Sequence, residues 1–60
     1  MEKYEIRDLI IYLKRQLANT DYQAIKYAEG ELTAEEYEPI KEQRRQWRAE
    51  INQLEKQLNI

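Results

Sequence analysis

The sequence predicts an all-α fold, an antiparallel helical hairpin with a short middle helix. The expected helices cover about 3–18, 21–29 and 34/39–58, with the hairpin able to oligomerise as a bundle. Three observations point there. Tyr37, Ile40, Arg44, Trp47, Ile51, Leu54 and Leu58 follow one another in steps of three and four, with Arg44 the only polar gap. That spacing draws one stripe down one side of a helix. Ile6, Ile10, Leu13 and Leu17 draw a second stripe in the first third of the chain. Between the two lie the chain's one glycine and a run of residues suited to helix ends.

The first helix is expected over 3–18. Leu9 widens its apolar stripe, and Tyr4 and Tyr12 sit at the border with their hydroxyls toward water. Glu2, Glu5 and Asp8 suit the amino end of a helix, and Lys14 and Arg15 the carboxyl end. Asn19-Thr20-Asp21 then reads as a break, because Thr20 followed by Gln23 is a capping-box arrangement. Such polar side chains compete with the mid-helix state. A short helix over 21–29 would present Tyr22, Ile25 and Ala28 to the region of Tyr37 and Ile40. The competing reading is one helix through 3–29, its stripe continuing through Thr20, Ala24 and Tyr27.

Gly30 follows the helical segment directly, where a residue of positive φ closes a helix. Thr33-Ala34-Glu35-Glu36 is a second capping box, flanked by Leu32 and Tyr37 at the positions of a hydrophobic staple. Pro39 cannot donate to the carbonyl of Glu35, and its ring crowds that carbonyl. The last helix therefore either restarts near Pro39 or runs through it with a kink.

Composition narrows the function classes. Sixty residues without cysteine or histidine exclude a Cys/His zinc site, and no cofactor or metal is expected. A chain this short buries only ~60% of the surface of its unfolded form. Self-association into a dimer or higher oligomer is one way to extend so thin a core. A formal net charge of -2 gives no general attraction to nucleic acid or anionic lipid. The longest apolar run, Leu9 to Leu13, is far short of a membrane span, so no membrane partner is expected. The charged start at Met1-Glu2-Lys3 does not read as a signal peptide.

Two groups stand out as candidate partner surfaces. Lys41, Arg44, Arg45 and Arg48 lie on one side of the last helix beside Trp47. Phosphate contact with the tryptophan stacked on a base is one reading. A solvated or protein-contact face is the more ordinary one, given Glu38, Glu42 and Glu50 nearby. Arg44, on the stripe itself, either lays its stem over Ile40 and Trp47 or pairs with an acidic residue across an interface. The aromatics Tyr12, Tyr27 and Tyr37 are candidate interface residues. Glu35, Glu36, Glu38 and Glu42 have a simple electrostatic reason to sit near a helix start. Catalysis needs an enclosed, preorganised site, and no enzyme is expected.

The segments TDYQAIKYAEG, from Thr20 to Gly30, and YEPIKEQRRQWRAEIN, from Tyr37 to Asn52, carry a resemblance. The pattern comprises Thr20, Asp21, Tyr22, Ile25, Lys26, Ala28, Glu29 and Gly30, then Gln43, Arg44, Trp47, Arg48, Glu50, Ile51 and Asn52. It resembles small prophage proteins of Gram-positive bacteria and the carboxyl-terminal parts of some phage tail-fibre and tail-assembly proteins. The resemblance implies a phage-encoded structural or assembly accessory in the bacterial cytoplasm or associated with the virion. It would work by protein contact. A small inhibitor or regulator of a host protein is the alternative, and a nucleic-acid-binding accessory a further one.

Overall fold

The computed structural model describes residues 1–58. It shows two helices and a tight turn, α1 over Lys3–Ala28 and α2 over Ala34–Gln57. They form one antiparallel hairpin, 41 Å long and about 15 Å across. At 1.5 Å per residue, the 26 residues of α1 account for nearly the whole length.

The predicted break at Asn19-Thr20-Asp21 is not there. The expected first and middle helices are one, as the competing reading had it. The Thr20 hydroxyl does not cap. It donates back to the Leu17 carbonyl at 2.9 Å, with a longer approach of 3.4 Å to that of Gln16. This mid-helix arrangement satisfies the hydroxyl without ending the helix. The face assigned to the middle segment changes with it. Tyr22 and Ile25 are exposed, at 67% and 54%, rather than packed toward Tyr37 and Ile40. Thr20 and Ala24 are half-buried instead.

The ends of the helices follow the local signals. The Glu31 N–H donates to the Lys26 carbonyl at 2.8 Å, and the Gly30 N–H to that of Tyr27 at 3.1 Å. This pair of bonds is a Schellman closure, and Gly30 takes the required positive φ, 82°. Thr33 starts α2. Its hydroxyl accepts from the Glu36 N–H at 3.0 Å, and a Glu36 carboxylate oxygen accepts from the Thr33 N–H at 2.9 Å. Pro39 lies inside a continuous α2, so the helix does not restart there. Pro39 and Glu35 are both exposed, and water can reach the carbonyl left without its donor.

The buried core is Ile6, Ile10 and Leu13 of α1 with Ile51, Leu54 and Leu58 from the other arm. Leu9, Leu17 and Trp47 pack against it half-buried. Two contacts fix the register. Thr20 meets Arg44, and Tyr27 stacks on Tyr37 with ring centroids 4.6 Å apart. In an antiparallel pair, that register sets Leu17 level with Trp47, Leu13 with Ile51, Ile10 with Leu54 and Ile6 with Leu58. Each layer takes one residue from either stripe. Full burial of each large apolar side chain contributes about 1.5–3 kcal/mol.

Candidate functional site

The structure separates the sequence candidates into side chains spent on the hairpin and side chains left free. Arg44 is spent. Its Nη1 donates to the Leu17 carbonyl at 2.8 Å and to Thr20 Oγ1 at 2.6 Å. Asp21 Oδ1 lies 3.1 Å from the same nitrogen. The guanidinium side chain is only 15% exposed. Thr20 uses its proton on the Leu17 carbonyl and so can accept from Arg44. The single polar gap of the α2 stripe thus stands opposite the first polar residue of the α1 stripe. Arg44 does pair with an acidic residue, Asp21, but within one chain and not across an interface.

Arg45 is also engaged, its Nε donating to Glu42 at 3.0 Å on the exposed face of α2. The hydrogen bond to Arg45 holds the Glu42 carboxyl below the usual carboxylate range, and the same contact raises the guanidinium. Trp47 is half-buried against the core, not splayed for stacking on a base. Lys41 and Arg48 are exposed. The proposed basic face is therefore not brought together as one free surface. Arg44 points into the hairpin, Arg45 forks a carboxylate, and Trp47 packs.

The aromatics divide in the same way. Tyr27 and Tyr37 stack nearly parallel, 7° between planes, and close the turn end of the hairpin. Tyr12 is free, 55% exposed on α1. It lines a shallow hollow with Met1, Glu5, Asp8 and Leu9.

Sequence reasoning missed a second face of α1. Tyr4, Ile11, Ala18, Tyr22 and Ile25 are all exposed. At 3.6 residues per turn they fall within a sector of about 60°, roughly 120° round the helix from Ile6, Ile10 and Leu13. The spacing of 4, 11, 18 and 25 is a strict heptad. The signal was in the sequence, masked by assigning Tyr22 and Ile25 to a separate middle helix. Among the described residues, the exposed large hydrophobic side chains all lie on α1 or, for Met1, just before it. The outward side of α2 is polar or charged apart from Ala34, Pro39 and Ala49. No helix among the described residues is long and apolar enough to cross a membrane. In comparisons with known proteins, no family model, curated protein or solved structure matches the chain.

Proposed function

We propose that this protein is a non-enzymatic structural or assembly accessory of a phage or prophage tail module, working by protein–protein contact. The outward apolar stripe of α1 carries the contact reading. A rigid helix that exposes Tyr4, Ile11, Tyr22 and Ile25 on one side presents an interaction surface. The phage assignment rests on the resemblance of residues 20–30 and 37–52. The geometry gives that shared pattern a physical sense. Arg44 bonds to both Thr20 and Asp21, Gly30 closes α1, and Trp47 and Ile51 pack in the core cluster. A segment that specifies this hairpin would be reused wherever the hairpin is used.

The test is affinity purification of the tagged chain from its host during phage production, beside a variant carrying both Ile11→Asp and Ile25→Asp. Recovery of phage structural proteins by the unaltered chain, and their loss from the variant, supports the proposal. Recovery of a host enzyme or regulator instead would replace it with the inhibitor reading. Equal recovery by both chains would remove the α1 stripe from the mechanism.

A further inference from the structure

We infer that the outward stripe of α1 is occupied by the same stripe of a second copy of this chain, antiparallel, with Ala18 on the two-fold axis. The inference deepens the proposed function by naming the first partner, and it rests on the reading of that stripe as a contact surface. The hairpin alone leaves one apolar face uncovered, and that face lies entirely on α1. Pairing two such faces makes a four-helix arrangement with the polar sides of both α2 helices outward. The contact is isologous, so it closes at two copies.

Charge and size choose this occupant and orientation. With Ala18 at the centre, Ile11 comes opposite Ile25 of the second copy. Lys14 then lies beside Asp21 of the second copy, and Arg7 beside Glu29. A two-fold axis makes each of these pairs twice. A parallel arrangement would instead set Lys14 near Arg15 and pair like with like. Asp21 and Lys14 are still available for such a contact, because their side chains are 58% and 60% exposed while paired with Arg44 and, at 3.9 Å, with Glu55. Alanine at the centre permits close approach of the two backbones. A tyrosine carries about 150–250 Å² of surface. Tyr22, about two-thirds exposed, and two isoleucines about half exposed on each copy, with Tyr4 set against the second copy's turn near Leu32 beyond the end of its α1, put the buried total on the order of 1,000 Å² at most, the lower bound for a specific interface. A 60-residue chain with six buried side chains among its described residues gains core from such an extension.

Light scattering across a hundredfold concentration range, with sedimentation equilibrium beside it, reads the mass. The expected result is a dimer for the unaltered chain and a monomer for Ile25→Asp. Ile25 is exposed in the hairpin, so the variant should keep its helical circular dichroism. Since the chain has no cysteine, Ala18→Cys should give a disulfide-linked dimer on mild oxidation, and Ala49→Cys on the outer side of α2 should not. A monomer at every concentration overturns the inference. So does a dimer that survives Ile25→Asp, or equal cross-linking at positions 18 and 49. If the chain is monomeric yet loses its captured partners in the Ile11→Asp, Ile25→Asp variant, the second copy is excluded and the contact-surface reading stands.

Discussion

Arg44 Nη1 lies 2.6 Å from Thr20 Oγ1, joining residues 24 positions apart in the sequence. The contact is a polar layer inside an otherwise apolar seam. Such layers typically fix register, and their net stabilisation is small because the charge is desolvated. Arg44→Met should therefore change stability by less than about 1 kcal/mol, while Arg44→Ala also loses the packing of the stem and costs about 1–2 kcal/mol. Thr20→Val takes one charge-assisted bond from a guanidinium that keeps two other oxygens, at a cost of about 1 kcal/mol. Urea titrations of the two single variants and the Thr20→Val, Arg44→Met pair should give a coupling of at least about 0.5 kcal/mol. Additive effects would mean that the 2.6 Å contact does not couple the helices.

Pro39 removes one bond from α2 at an exposed position. Proline inside a helix costs about 3 kcal/mol or more against alanine. The chain already tolerates it early in α2, so Pro39→Ala should raise stability by about 1–3 kcal/mol, read as an upward shift in melting temperature. An unchanged or lowered melting temperature would show that proline preorganises the start of α2.

Gly30 has φ 82°, and a Cβ built there would meet nothing within 4 Å. Any cost of Gly30→Ala is thus backbone strain and not a clash. It should come to about 1–2 kcal/mol. Gly30→Asn, which tolerates the left-handed region, should cost less. Thermal melts of both variants check the order. Equal losses would point to something other than φ.

Glu36 provides a pH prediction. The Thr33 backbone N–H, and then its hydroxyl, hold the Glu36 carboxyl below the usual carboxylate range. Because the folded value is depressed, the contribution is present above the unfolded value of about 4.3. It is lost as pH falls through the lower folded value. Glu42, lowered by Arg45, adds to the same trend. Stability should therefore fall as pH drops below about 4.3, and more weakly so in Glu36→Gln. Carboxyl NMR titration reads the Glu36 value directly. A Glu36 that titrates as a free glutamate would dissolve the capping box in solution.

The sequence by itself determined the hairpin and its ends. Both core stripes were legible because three-four spacing is a property of one helix. The Gly30 closure and the Thr33 capping box were legible because each acts within a few residues. The tertiary structure alone decided what Asn19-Thr20-Asp21 does. Local chemistry favoured a cap there, but the Thr20 hydroxyl bonds back to the Leu17 carbonyl within a continuous helix and accepts from Arg44 of the opposite helix. That choice set the phase of the last turns of α1. Tyr27 went to Tyr37, and Tyr22 and Ile25 went outward. It also took Arg44 and Trp47 out of the apparent basic surface. A side chain's partners across 20 residues depend on the register between helices, and no local propensity encodes that register.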